Sequence, residues 1–299
     1  MPSISFCKFH GFGNDYIVFE AEDLREISSV EDFARAVCHR HTGIGGDGIA
    51  VLEKLETEAA DYSCRIINPD GSEAGFSGNG TRCAVAYLFC KNLWSQQNLR
   101  LETKSGIKNY HFLKREEDVF WFRAELGKPK FELPENSHFG TTKKRKQDGR
   151  VLARLFLPND GLIFDCVYVD VGNPVVCIFL EDFTPLVIEG IEFDWRQFGR
   201  KIECATEVFP EKTNVVFIKG LDQNNIEIRI WERGAGETSS SGTCSIAAAV
   251  ASAFVGKTGR EVSVHAPGGM TEAAWREDGE MLITGRADLA FCGECFVKI

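Results

Sequence analysis

Apolar and polar positions alternate with a period of two from Ile4 to His10, with Ile4, Phe6 and Lys8 on one side and Ser5, Cys7 and Phe9 on the other. That period predicts a strand. The turn Gly11-Phe12-Gly13-Asn14-Asp15 follows, and Tyr16 to Phe19 reads as a second, apolar strand. Ser28-Ser29-Val30-Glu31 has the spelling of a capping box, and Phe33, Ala36 and Val37 continue it at helical spacing toward His39-Arg40-His41. Tyr62 to Ile67 predicts a strand that runs into the turn Asn68-Pro69-Asp70-Gly71. Short alternating segments from Leu99 to Leu126 predict antiparallel strands. A second series begins near Val151 and includes Val167 to Val171, which ends at Gly172-Asn173-Pro174. Asp194 is placed to cap a helix through Trp195, Phe198 and Ile202, and Asn214 to Lys219 and Ile226 to Trp231 again read as strands.

Two stretches interrupt this strand rhythm in the same way. Gly71-Ser72-Glu73-Ala74-Gly75-Phe76-Ser77-Gly78-Asn79-Gly80-Thr81 leads into Ala84 to Leu88, and Glu232-Arg233-Gly234-Ala235-Gly236-Glu237-Thr238 leads through Ser241-Gly242-Thr243 into Ile246 to Val250. Gly256 is a suitable C′ residue for the second helix. A helix start carries unpaired N–H donors and a partial positive charge, so it favours anions. Two such starts in one chain point to two related halves that face one ligand.

Composition narrows the reading. The 299 residues suffice for two domains, and 43% hydrophobic with 26% charged residues is the profile of a soluble globular protein. A formal net charge of −10 argues against nucleic acid or an anionic membrane as the main partner. Apolar runs fall short of a membrane span, and the first residues lack the basic start and apolar core of a signal peptide. The 11 cysteines form no framework; Cys7, Cys64, Cys90, Cys166 and Cys177 lie in apolar or alternating runs and read as reduced, buried residues of a cytoplasmic protein. Cys292-Gly293-Glu294-Cys295 is the one close pair, and without a second pair it reads as part of a C-terminal strand and not as a metal site. Gly43-Ile44-Gly45-Gly46-Asp47-Gly48 matches a dinucleotide-binding spelling but follows a helix and precedes a strand, the reverse of the required order, so it reads as a turn. The polar stretch from Pro129 to Gly149, with Lys143-Lys144-Arg145-Lys146, reads as a solvated loop.

Taken in order, eight motifs resemble the diaminopimelate epimerase family. They are Lys8 to Asp15; Arg40 to Gly48; Asn68 to Ser72; Gly78-Asn79-Gly80-Thr81-Arg82-Cys83; Gly172-Asn173-Pro174; Phe209 to Asn214; Glu232 to Thr238; and Pro267-Gly268-Gly269. The resemblance implies an α+β fold of two pseudo-symmetric domains, 1–130 and 131–285, each mostly antiparallel strands wrapped around a central helix. It implies that the C-terminal strand, about 286–299, returns to the first domain. It further implies an amino-acid ligand in a cleft between the two helix starts, a homodimer, and epimerisation at Cα without pyridoxal phosphate, other cofactor or metal. By position, Asn14, Asn68, Asn173, Asn214 and Arg233 correspond to groups that hold the distal end of diaminopimelate. Gly78-Asn79 and Gly242-Thr243 correspond to backbone donors for the reacting carboxylate, and Glu232 to a catalytic carboxylate.

The chain departs from the family at its chemistry. Ser77 and Ser241 stand where the family has its two catalytic cysteines, Val175 stands where a histidine follows Gly-Asn-Pro, and Cys244 replaces a glycine. A thiol titrates near pH ~8.5 and a helix start lowers that value, whereas a serine hydroxyl needs a base to activate it. Three readings therefore stand side by side: an epimerase with altered chemistry through Ser77, Ser241 and Glu232; a silent amino-acid-binding homologue; and an isomerase or lyase for a related carbon acid with Glu232 as its single base. A serine hydrolase is disfavoured, because Gly75-Phe76-Ser77-Gly78-Asn79 fails the nucleophile-elbow spacing.

Overall fold

The computed structural model describes residues 3–132, 145–147, 150–157, 162–184, 186–188 and 191–296. The chain divides into two compact units, Met1–Glu125 with Thr284–Ile299, and Leu126–Ile283. The class is α+β, with four α-helices among the described residues.

Unit 1 contains strands β1 (Ser3–Gly11) and β2 (Asn14–Glu20), helix α1 (Val30–Cys38), β3 (Gly48–Lys54), β4 (Tyr62–Ile67) and β5 (Glu73–Ala74). Helix α2 (Gly78–Cys90) and strands β6 (Asn98–Thr103), β7 (Gly106–Glu116) and β8 (Val119–Glu125) complete its first segment. Antiparallel β1–β2 is followed by parallel β2–β3, antiparallel β3–β4 and β4–β5, parallel β4–β6 and antiparallel β6–β7. The pattern of β1 changes along its length. Ile4 and Phe6 are buried on one side, Cys7 and Phe9 on the other, and a register shift falls between Lys8 and Phe9.

Unit 2 contains β9 (Arg145–Gln147), β10 (Arg150–Leu157), β11 (Leu162–Asp170), β12 (Pro174–Phe179), β13 (Leu186–Ile188), β14 (Ile191–Phe193) and α3 (Trp195–Glu203). It continues with β15 (Asn214–Gly220), β16 (Asn225–Glu232), β17 (Gly236–Thr238), α4 (Gly242–Phe254), β18 (Glu261–Ala266) and β19 (Gly269–Trp275). A last strand, β20 (Met281–Phe296), pairs antiparallel with β1 through its later residues. The pairing order of unit 1 recurs in unit 2: antiparallel β11–β12, parallel β12–β15, antiparallel β15–β16 and β16–β17, parallel β16–β18, antiparallel β18–β19.

Each unit encloses one helix and carries another outside. Helix α2 is buried from Gly78 to Leu88 and packs against β1, β2, β3 and β4. Helix α4 is buried from Gly242 to Ser252 and packs against β11, β12, β15, β16, β18 and β19. A helix that is apolar on all sides is stable only inside such a wrapping. The outer helices are one-faced. Phe33 and Val37 of α1 join Ile17, Phe19, Ile49 and Val51 in one core; Trp195, Phe198 and Ile202 of α3 join Val176, Ile178, Val215 and Phe217 in the other.

Three expectations change. The cap of α1 is Ser29, whose hydroxyl accepts from Asp32 N at 3.1 Å, one residue later than a capping box begun at Ser28. Within the stretch read as a loop, Arg145–Gln147 forms a strand that pairs with residues 150–152, while Lys143 and Lys144 lie outside the described residues. Cys7 is not a free thiol: it forms a disulfide with Cys292, directly opposite it on β20. Burial and alternation describe a small hydrophobe and one half of a cross-strand bridge equally well, so the strand pattern could not separate them.

Candidate active site

In unit 1 Ser77 is the N-cap of α2, in extended conformation, and its Oγ accepts from Gly80 N at 3.1 Å. The same Oγ lies 2.9 Å from the hydroxyl of Tyr16. Asn79 is buried in the first turn of α2, and its Nδ2 donates to Asn14 Oδ1 at 3.2 Å. Asn14 Nδ2 in turn donates to Asp47 Oδ2 at 2.8 Å. Behind Asn14 sits a charge network in which Asp15 receives Lys8 at 2.8 Å and two guanidinium contacts from Arg40 at 3.1 and 2.8 Å. Arg40 also reaches Asp47 at 2.6 Å. Burial pushes the Asp15 carboxyl up, but hydrogen bonds and charge from Arg40 and Lys8 outweigh it and bring the group to about 2. Asp47 moves the other way, raised by its burial and by the charge of Asp15. Asn68 follows β4, where its side chain donates to Ser72 Oγ at 3.0 Å. The Asp70 carbonyl of that turn accepts from Arg35 Nε of α1 at 2.8 Å.

In unit 2 Ser241 is the N-cap of α4, with its Oγ accepting from Cys244 N at 3.4 Å. The Ser241 hydroxyl donates to Glu232 Oε2 at 3.0 Å, and Thr238 donates to Glu232 Oε1 at 2.7 Å. The carboxylate is thus held by two hydroxyl groups, one of them at the helix start. Asn214 opens β15 and its Oδ1 accepts from Arg233 N at 2.9 Å, while the Arg233 guanidinium donates to Glu211 O at 2.9 Å. Asn173 is half-buried just before β12 and its carbonyl accepts from Val171 N. Gly242 and Thr243 are buried in the first turn of α4. Cys244 is wholly buried; burial and the nearby Glu232 charge push its thiol well above the ordinary value, against a hydrogen bond with Ser241 that lowers it.

The structure therefore ties Ser77, Asn79 and Asn14 together in unit 1, with Asn68 on the preceding turn. In unit 2 it ties Glu232 to Ser241 and Asn214 to Arg233. Sequence reasoning missed two further groups. Tyr16 reaches Ser77; it adjoins the Asn14-Asp15 motif, but nothing in the local sequence marks that contact. Glu203, on α3, accepts from Gly234 N at 2.9 Å, from Trp231 Nε1 at 2.9 Å and from Lys212 at 3.3 Å, and so braces the end of β16, where Glu232 lies, and the turn after it. Burial alone would raise its carboxyl, but these three donors lower it. No sequence signal separates Glu203 from any other acidic residue near a helix end.

The family model for "Diaminopimelate epimerase" matches residues 6–131 and 167–290. A diaminopimelate epimerase of Pelotomaculum thermopropionicum is 37% identical over 97% of this chain and 98% of its own. One from Caldanaerobacter subterraneus subsp. tengcongensis is 36% identical over the same shares. A crystal structure of a hydroxyproline epimerase from Agrobacterium vitis superposes with a TM-score of 0.68, covering 99% of this chain and 91% of that one, at 13% identity, which bears on the fold alone. Fold and relatives together define an isomerase of the epimerase class. Within that class, the chain belongs to the diaminopimelate epimerase family.

Proposed function

We propose that this protein is a diaminopimelate epimerase, as its relatives are named, and that it interconverts LL- and meso-diaminopimelate by moving a proton on and off Cα through Ser241 and Ser77 in place of two thiols. The observation that carries this reading is the 3.0 Å bond from Ser241 Oγ to Glu232 Oε2. A serine needs a base, and a carboxylate sits where it can take the hydroxyl proton. The Cα proton passes to Ser241 Oγ as the Ser241 proton passes to Glu232, and the electron pair stays on the carbon. Ser77 then gives a proton to the opposite face of that carbon. Backbone N–H groups at the first turn of each helix, at Gly78-Asn79 and Gly242-Thr243, are donors of the kind that stabilise a carboxylate as charge develops, an effect worth ~3 kcal/mol per donor. Asn14, Asn68, Asn173, Asn214 and Arg233 recognise the distal amino acid. Arg233 suits a carboxylate because its guanidinium can bond in a two-pronged way. Chemically the role belongs to lysine biosynthesis. Nine free cysteines fit a cytoplasmic location, with Cys7–Cys292 as the exception.

The test is incubation with LL- or meso-diaminopimelate in D₂O, followed by mass spectrometry for Cα deuterium and chiral chromatography for isomers. Exchange with conversion supports the proposal. Binding with neither supports a second reading, a silent amino-acid-binding homologue, for which the paired serines and the buried Val175 speak. The combined variant Ser77→Cys/Ser241→Cys is expected to raise exchange at least ~100-fold, since a thiol ionises far closer to neutral pH. A double variant that binds yet stays inert would refute the assignment of these two positions.

A further inference from the structure

The strand registers align the two units residue by residue. Tyr16 pairs with Gly48 across parallel β2–β3, and Val175 pairs with Asn214 across parallel β12–β15. One step on, Ile49 faces Ile67 and Val215 faces Trp231. Ile67 then faces Glu73, and Trp231 faces Glu237. Tyr16 therefore corresponds to Val175, Asn68 to Glu232, Ala74 to Thr238 and Ser77 to Ser241. The support of each serine is reversed between units. Unit 2 has a carboxylate, Glu232, and an aliphatic side chain at Val175. Unit 1 has no carboxylate at the equivalent place, where Asn68 stands, and has a phenol at Tyr16.

The hydrogen-bond inventory gives this reversal a direction. A hydroxyl has one proton to donate and two lone pairs to accept. Ser241 spends its proton on Glu232 and accepts from Cys244 N. Ser77 accepts from Gly80 N, and its second contact is the Tyr16 hydroxyl, where either oxygen can donate; when Tyr16 donates, both lone pairs of Ser77 are filled and its own proton is available to the substrate. The Tyr16 ring is held for this purpose. A Cβ on Gly48 would come within 2.8 Å of its Cε1, and one on Gly80 within 2.9 Å, so two glycines form the slot it occupies.

We propose that Tyr16 is the positioning residue that makes Ser77 the proton donor in the direction of the reaction in which the Glu232-backed Ser241 removes the Cα proton. This rests on the epimerase reading above. In the donating step the Ser77 O–H bond breaks as the Cα–H bond forms. The Tyr16 proton moves to Ser77 Oγ, and the phenolate on Tyr16 regains a proton from water. A phenol ordinarily titrates near pH ~10, which makes it a far better proton source than a lone serine.

Two measurements test it on the full chain. Tyr16→Phe keeps the ring in its slot and removes only the hydroxyl. Its kcat for conversion of diaminopimelate is expected to fall at least ~10-fold with KM within ~3-fold, the split expected when only the reacting step is affected. Independently of turnover, Ser77→Cys and Ser77→Cys/Tyr16→Phe are alkylated with iodoacetamide across pH, and the thiol at position 77 is followed by peptide mass spectrometry. A donor hydroxyl favours the charged thiolate, so its loss is expected to move the alkylation midpoint up by about one pH unit. An unmoved midpoint overturns the proposal, as does an active wild type whose Tyr16→Phe variant keeps its kcat. If the wild type fails to convert diaminopimelate while the midpoint moves, the substrate reading fails and the assignment of Tyr16 stands.

Discussion

A serine at a helix start has two separate capacities, and both are in use at Ser77 and Ser241. Each caps its helix through Oγ, a contact typically worth about 1 kcal/mol, and each presents a hydroxyl to a second group. Chemistry and stability can be separated at Glu232, which caps nothing. Glu232→Gln keeps the shape and an oxygen for Ser241 or Thr238 but cannot take a proton. Exchange is expected to fall by roughly 10²- to 10⁴-fold, the range of general-base contributions, with the thermal midpoint nearly unchanged. A Gln variant that exchanges at the wild-type rate would remove Glu232 from the mechanism. The serines were legible in the chain because Ser-Gly-Asn-Gly and Ser-Gly-Thr are local spellings. Tyr16 was not, because its contact with Ser77 arises only after parallel β2–β3 and the helix start are assembled. A partner 61 residues away leaves no periodic trace.

At the scale of elements, the outer helix of each unit grips the loop that precedes the inner helix. Arg35 of α1 holds the Asp70 carbonyl, and Glu203 of α3 holds Gly234 N and the Trp231 indole. The strands and the caps at Asp194, Ser77 and Ser241 could be read from alternation and cap chemistry, as could the C′ glycine Gly256, which has φ of +76°. The grip could not, since it joins residues whose proximity is tertiary. Glu203→Ala would remove the acceptor of three donors; the Lys212 ammonium can turn to water, but Gly234 N and Trp231 Nε1 lose their partner, at about 1–3 kcal/mol each where burial is complete. The expected result is a measurable loss of stability in a denaturant titration, together with lower exchange, because Glu232 ends β16 beside the loosened turn. The sign with pH follows from the lowered carboxyl of Glu203. Its contribution is present above the ordinary glutamate value near ~4.3 and disappears as pH falls through the lower folded value. Wild type should therefore lose this increment on acidification, and the alanine variant should show a shallower dependence. Equal slopes would show that Glu203 carries no such linkage.

For the whole molecule, one topology used twice explains why two helix starts exist, and the disulfide explains how the chain's far end is kept. Residues 284–299 return to unit 1, where β20 lies against β1 and Cys292 faces Cys7 across 285 residues of sequence. The return of the strand was implied by the family resemblance; the bridge was not, because eleven scattered cysteines allow many pairings. A cross-link over so long a loop restricts the unfolded chain strongly. The entropic relation gives roughly 5–6 kcal/mol as an upper figure, and measured bridges usually yield about 2–4. Strand pairing and the packing of Phe6 against Phe291 and Phe19 remain when the bridge is opened, so the reduced protein is expected to stay folded. Thermal melts with and without a phosphine reductant should differ by roughly 5–15 °C, given about 2–4 °C per kcal/mol for a chain region of this size. Cys7→Ser/Cys292→Ser should melt like the reduced wild type and no longer respond to reductant. If wild type and the double serine variant melt together under oxidising conditions, while peptide mapping finds Cys7 joined to Cys292, the bridge forms but does not hold β20 in place.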